Sequence, residues 1–229
     1  MKYLLLDDWG GRIHDAKKTV SSTEDDLMCW AAAASNILAW TRWGFPPDES
    51  FTDEAGIFQY FQDHWEDKEG YPQKAWEWWF NGIDQDGVDS PGGGFWDSLH
   101  AFNDYYQADQ NRVNELQKIA DYLHDGYGVV IGLICQSYSH YITCWGYEYE
   151  KDDQDVKQYL GIYITDSDDD SQGLRYYELT RSGWSYDDWW YFQYYKDSTE
   201  FFISEVHALN RYPSAPPSPP SGLQITSSS

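Results

Sequence analysis

The sequence predicts an α+β fold, with a helical N-terminal half followed by an antiparallel sheet. Three observations carry this. Apolar residues recur at helical spacing as far as residue 124. From Val129 onward the pattern becomes short apolar or alternating runs, the signature of strands. Helices grouped before strands, rather than interleaved with them, argue for α+β over α/β.

Residues 1–24 read as extended and polar. Residues 28–43 read as a helix, because Ala31-Ala32-Ala33-Ala34 has strong helix propensity and Gly44 and Pro46-Pro47 stop it. Residues 52–65 give a second helix, with Ile57, Tyr60, Phe61 and Trp65 on one face. Residues 72–80 are a short Trp-rich segment. Asn81 to Gly94 is turn-rich and ends in three glycines. Residues 95–106 and 111–124 read as two more helices, the latter closed near Gly126. Val129 to Cys135 is an unbroken apolar run typical of a buried strand; His140–Tyr149 and Tyr159–Thr165 alternate like strands. Residues 174–179 and 200–209 suggest two further strands.

Residues 1–212 are therefore expected to form one domain. Residues 213–229 open with Pro213-Ser214-Ala215-Pro216-Pro217-Ser218-Pro219-Pro220-Ser221, a semi-rigid linker or tail with no core potential, suited to joining a further module. No internal repeat is present.

Composition narrows the function classes. The 229 residues are 41% hydrophobic and 19% aromatic, with 13 Trp and 20 Tyr, which excludes a disordered chain. A formal charge of −24 repels phosphate backbones, so no nucleic-acid partner is expected. No apolar run approaches the roughly 20 residues that span a bilayer, so no membrane span is expected. Tyr3-Leu4-Leu5-Leu6 gives way to Asp7-Asp8 and is no intact secretory signal; a signal peptide, if used, is expected outside this chain. Three cysteines are too few for a disulfide scaffold. Cys135 and Cys144 flank one turn and could pair in an oxidising compartment, although ordinary core thiols explain them as well.

Cys29 stands at the front of the alanine-rich helix, where unpaired N–H groups and the positive end of the helix dipole favour negative charge on a side chain. That suits a thiolate nucleophile, although a small buried apolar residue explains the position as well. A nucleophile needs a base. His14 lies in a polar extended segment, His64, His100 and His124 lie on polar helical segments, and His207 lies in the last strand. His140 begins a strand just after the turn that follows the most hydrophobic strand, which would hold an imidazole rigidly; a hydrogen-bonded turn histidine is the alternative. Asp166 and Asp168 follow the next strand. A carboxylate there could accept a bond from the histidine Nδ1–H and set its tautomer, or simply be a solvated turn. Asp166, Asp168 and Asp170 also alternate like calcium ligands, but the EF-hand pattern fails at Ser171 and Tyr177.

Taken together, these segments resemble papain-like cysteine proteases in the order Cys, His, Asp. The local match is closest to immunoglobulin-degrading cysteine endopeptidases of the IdeS/Mac type. It rests on Lys18-Thr19, on Asp25-Asp26-Leu27-Met28-Cys29 running into a helix with Asn36 and Leu38, and on Phe80-Asn81-Gly82 and Gly93-Gly94-Phe95-Trp96-Asp97. It continues in His140-Tyr141-Ile142-Thr143-Cys144-Trp145-Gly146 and Ile162-Tyr163-Ile164-Thr165-Asp166-Ser167-Asp168. Each segment alone is weak; together, over residues 15–205, they are specific. The resemblance implies a papain-like architecture, with the nucleophile helix packed on the sheet half. It implies Cys29 as nucleophile, His140 as base, Asp166 orienting His140, Asp168 supporting the site, and an oxyanion hole of the Cys29 N–H and Lys18. Two departures stand out. Trp30 follows the nucleophile where the family has Gly, and the Lys-to-Cys stretch is one residue longer, which leaves Lys17 as the alternative donor. The resemblance further implies a secreted or cell-surface bacterial enzyme with a protein substrate such as immunoglobulin, and no cofactor or metal.

Two other functions fit parts of the chain. Its Trp and Tyr residues, including Trp189-Trp190-Tyr191-Phe192-Gln193-Tyr194-Tyr195, could stack on a glycan or protein in an extracellular binding module without catalysis. A glycoside hydrolase needs only paired carboxylates, and 39 acidic residues make that signal nearly empty. Neither needs Cys29, His140 and Asp166 in papain order.

Overall fold

The computed structural model describes residues 2–5, 12–19, 25–83, 91–96, 99–110, 114–136, 138–169, 172–181, 189–194 and 199–213. The tail beyond 213 lies outside the described residues. Among the described residues the order is β1 (Lys2–Leu5), α1 (Cys29–Thr41), α2 (Glu54–His64), α3 (Pro72–Asn81), β2 (Tyr106–Asp109), α4 (Glu115–His124), β3 (Gly128–Ile134), β4 (Ser139–Lys151), β5 (Lys157–Thr165), β6 (Arg175–Glu178), β7 (Thr180–Arg181), β8 (Trp190–Gln193) and β9 (Glu200–Leu209). The fold is mixed α+β.

One antiparallel sheet runs β6-β5-β4-β3-β9-β8-β7, with β1 added to β4 and β2 to β9. It curls nearly into a barrel, so that Tyr177 of β6 meets Phe192 of β8 with ring centroids 4.5 Å apart. The strands read from the sequence as 129–135, 140–149, 159–165, 174–179 and 200–209 appear as β3, β4, β5, β6 and β9. Strands β1, β2, β7 and β8 are short pieces with too few residues to show a period.

Helix α1 is the centre of the molecule. Every residue from Trp30 to Thr41 is buried, the pattern of a helix packed on all sides. It stops at Arg42, which takes a left-handed conformation (φ 73°), and the Gly44 N–H closes the end on the Leu38 carbonyl at 2.8 Å. Small residues let the sheet approach. A Cβ on Gly128 would lie 2.8 Å from Ile37 Cγ2, so β3 can start against α1 only as glycine. Asn36 is a polar rivet in this interface: its Oδ1 accepts the Ala16 N–H at 2.7 Å, and its Nδ2 donates to Thr143 Oγ1 of β4 at 3.0 Å. It ties helix, sheet and the extended segment 12–19 together.

Two expectations need correction. The Trp-rich segment 72–80 is a full helix, α3, opened by Pro72 in its first turn and closed by Gly82 at φ 80°. The helix expected over 95–106 is absent from the described part of that range. Phe95 and Trp96 instead donate backbone bonds to the Trp79 and Phe80 carbonyls at 3.0 Å, and a 3₁₀ turn, Phe102–Asp104, leads into β2. The helix-like spacing of its rings has another cause. Trp96 and Tyr105 close around Trp43 with centroids 5.1 and 4.7 Å away, while Phe102 stacks on Tyr106. Burial of rings on several elements, not one helical face, sets that spacing.

The tryptophans form the core. Trp30, Trp40, Trp43, Trp76, Trp78, Trp79, Trp96 and Trp145 are all within 1% of complete burial. The three cysteines are free. Cys144 lies opposite Val129 on β3, six residues from Cys135, a separation of about 20 Å that no disulfide spans. Burial pushes the Cys144 thiol up to about 12. No helix among the described residues is long and apolar enough to cross a membrane.

Removing the rivet should be costly. Asn36→Ala leaves the Ala16 N–H and the Thr143 hydroxyl without their buried partner, and urea unfolding should register a loss of about 1–3 kcal/mol. A loss below about 0.5 kcal/mol, within the usual scatter of surface changes, would mean that segment 12–19 is anchored by other bonds.

Candidate active site

Strands β4 and β5 pair so that Thr143 faces Thr165. His140 near the start of β4 and Asp166 just past the end of β5 therefore emerge at the same end of the sheet. His140 Nε2 lies 2.8 Å from Asp166 Oδ1, with the two side chains only 4% and 0% exposed. This corrects the expected geometry, in which Nδ1–H served the carboxylate. Nε2 is taken by Asp166, and the Cys29 thiol lies within hydrogen-bonding reach of the same ring, which leaves Nδ1 for sulfur.

Burial pulls the His140 pKa down, but Asp166 and then Cys29 outweigh it, and the net shift is well above the ordinary imidazole value. Burial likewise raises Asp166, but the His140 charge and hydrogen bond, the Asp168 N–H at 2.9 Å and the Tyr194 hydroxyl at 2.7 Å hold it well below the usual carboxylate range. The pair is thus kept as imidazolium and carboxylate near neutrality. Tyr194 is a site residue that sequence reasoning passed over. It falls inside the aromatic run 189–195, where composition suggests stacking and nothing marks one hydroxyl as functional.

Cys29 is the first residue of α1, half-buried, and its N–H has no acceptor within the helix. It opens on a cleft of about 230 Å³ between the helix and the sheet, whose walls include Lys18, Asp26, Tyr138, His140 and Asp168. Trp30, which stands where the resemblance leads one to expect Gly, points into the core. Its indole donates to the Lys68 carbonyl at 2.9 Å and packs on Trp65, pinning the loop whose Glu69 and Gly70 form the far wall.

The two lysines part company. Lys17 spends all three ammonium donors on the Asp166 carbonyl (2.7 Å), Asp169 (2.5 Å) and Asp15 (3.0 Å), and it does not line the cleft. Lys18 donates to the Asp26 carbonyl (2.5 Å) and to Asp168 Oδ1 (2.7 Å), which leaves one N–H for the cleft. Burial lowers the Lys18 pKa, but Asp168 and the Cys29 site more than offset this, so it stays cationic. The segment carrying it is fixed along its length. The His14 carbonyl accepts from Thr165 Oγ1 at 3.0 Å, the Lys18 N–H donates to the Ser167 carbonyl at 3.2 Å, and the Thr19 N–H donates to Asp25 Oδ2 at 2.8 Å.

His140, Asp166 and Asp168 offer donor atoms within 4.8 Å of one another. Asp166 is committed to His140, Tyr194 and the Asp168 N–H, and Asp168 to Lys18, so the cation that this carboxylate cluster already serves is the lysine ammonium. Asp170, the third member of the alternating acidic run, lies outside the described residues.

The site thus brings together Cys29, His140, Asp166, Asp168 and Lys18 and leaves Lys17 outside. No protein-family model matches the chain, and no curated protein matches it.

The ion pair should make stability depend on pH at both ends. Asp166, with its pKa depressed in the folded state, stabilises above the ordinary carboxylate value near 4 and loses this as pH falls through the folded value. His140, with its pKa raised, stabilises fully below about 6.5 and loses this as pH rises through its folded value. The stability gap between wild type and Asp166→Asn should therefore be widest between about pH 4 and 6.5 and narrow toward pH 9 and above. Urea unfolding at pH 5, 7 and 9 checks this; a constant gap would show that the pair acts by hydrogen bonding without charge.

Proposed function

We propose that this protein is a papain-like cysteine endopeptidase of the IdeS/Mac type, acting outside the cell on a protein substrate, with immunoglobulin as the first candidate. The observation that carries the reading is a helix-start thiol within reach of a buried imidazole whose far nitrogen is held by a buried carboxylate. Nucleophile, base and orienting group in such a chain are the minimum for acyl transfer.

Each group then has a step. The Cys29 sulfur bonds to the carbonyl carbon of the scissile peptide, and His140 passes its proton to the amine as the C–N bond breaks. Water next gives a proton to His140 while its oxygen bonds to the acyl carbon and the C–S bond breaks, releasing the acid and restoring the sulfur–imidazolium pair. Negative charge on the carbonyl oxygen is met by the Cys29 N–H and the remaining Lys18 N–H, donors set in place before reaction. Asp166 holds the imidazole in orientation and stabilises its protonated form. Asp168 positions Lys18. The raised His140 pKa favours activity that persists above pH 6.5 before the alkaline fall.

The binding-module alternative draws less support, because most of the tryptophans it would use are packed inside.

Cys29→Ala and His140→Ala should each abolish cleavage of a panel of immunoglobulins and host glycoproteins, followed by mass mapping of products. The double variant should be no worse than either, as expected for groups acting as a unit. Iodoacetamide should label Cys29 ahead of Cys135 and Cys144. Persistent cleavage by Cys29→Ala, or equal labelling of all three thiols, would sink the reading.

The lysines separate cleanly. Lys18→Met should cut turnover by about 10²-fold or more with little change in KM, the scale of one lost oxyanion donor. Lys17→Met should spare the chemical step and act through stability, since its donors are buried among Asp15, Asp169 and the Asp166 carbonyl. A normal kcat in Lys18→Met would place the oxyanion elsewhere.

A further inference from the structure

A second cavity, of about 470 Å³, adjoins the nucleophile cleft and shares Ser139 and Tyr141 with it as a common wall. Its other walls include Tyr71, Gln110 and Glu205. Three adjacent strands build its floor: Tyr141 of β4 faces Gly132 of β3, and Gly132 faces Glu205 of β9. Gly132 is what allows the outer two side chains to meet. A Cβ there would lie 2.5 Å from Glu205 Cγ and 3.0 Å from Tyr141 Cε1, and in its absence the Tyr141 hydroxyl donates to Glu205 Oε1.

Among the described residues, Glu205 is a carboxylate with no lysine or arginine ion-paired to it. Gln110 Nε2 donates to Oε2 at 3.1 Å, and His207 Nε2 stands 3.4 Å from the same oxygen. Burial raises its pKa, but these neighbours and Tyr141 bring the net below the ordinary value, so the charge is retained. Its side chain is 15% exposed, toward the cavity it lines. A partly desolvated carboxylate with hydrogen-bond donors on its flanks and open volume in front is satisfied by a cation. Tyr71, whose ring sits 6.2 Å from that of Tyr141, gives the cavity an aromatic rim against which an aliphatic stem can lie. The −24 charge of the chain favours encounter with basic substrates.

We propose that the cavity walled by Tyr71, Gln110, Ser139, Tyr141 and Glu205 is a substrate subsite that receives a lysine or arginine side chain next to the scissile bond. This rests on the endopeptidase reading for the word substrate, but the cavity can be tested without turnover.

Two measurements keep the two apart. In the first, the Cys29→Ala protein is titrated calorimetrically with acetylated, amidated octapeptides of Gly, Ala and Leu carrying one arginine, and with the same peptides carrying citrulline. Arginine should bind at least about tenfold tighter, the scale of a charge-assisted bond, and Cys29→Ala/Glu205→Gln should lose most of that preference. Gln keeps the shape and accepts from Tyr141, so thermal unfolding should stay close to that of the parent. In the second, wild type and Glu205→Gln are compared on the arginine and citrulline peptides by kcat/KM; the ratio should collapse toward one in the variant. Binding that ignores the arginine-to-citrulline change, or a cleavage ratio that survives Glu205→Gln, overturns the subsite. Glu205-dependent binding in a wild-type protein that cleaves nothing would overturn the endopeptidase reading and leave the cation pocket standing.

Discussion

A buried ion pair, His140 with Asp166, governs how the rest of the cleft is built. Two charges at 4% and 0% exposure would cost several kcal/mol each if left to each other alone. The surrounding residues supply the compensation. The second carboxylate oxygen of Asp166 takes the Tyr194 hydroxyl, the first also takes the Asp168 N–H, and the far side of the imidazole meets the Cys29 thiol. The β4–β5 register fixes the separation, since a slip of one residue would turn one partner to the opposite face. Segment 12–19 then ties itself to the end of β5 and the turn after it through Thr165 and Ser167, which carries Lys18 to the same place.

The two adjacent lysines illustrate how donor count decides role. Both are cationic, and both approach the turn after β5. Lys17 is saturated by three oxygens and works as a strut beneath Asp166 and Asp169, where Arg175 also ion-pairs with Asp169. Lys18 is short of one acceptor and faces open volume. An ammonium with a free N–H beside a thiol in a cleft is electrostatic preorganisation of the kind acyl transfer uses. The carboxylate at the far end of the same wall, Glu205, is in the complementary position, an anion with no lysine or arginine ion-paired to it among the described residues. Tyr141 stands between the two cavities, and through it the nucleophile cleft and the Glu205 pocket share one rigid strand.

The sequence by itself determined the class of fold and the cast of the site. Periodicity is a local property, so α1, α2, α4 and strands β3, β4, β5, β6 and β9 could be read from residue spacing, and Cys29 at a helix start followed from the alanine run. His140 and Asp166 could be chosen because both flank strong strands. Tertiary structure decided the rest. The rings of 95–106 have helical spacing but pack around Trp43 from several directions, a constraint supplied by distant residues. The imidazole nitrogen that meets Asp166 follows from ring orientation between two elements, the choice of Lys18 over Lys17 from where five oxygens lie in space, and the parts played by Tyr194, Gly132 and Glu205 from cross-strand and loop neighbours 28 to 73 residues away in sequence. Spacing along a chain encodes which face a residue occupies; which partner waits on that face is set only when the chain closes on itself.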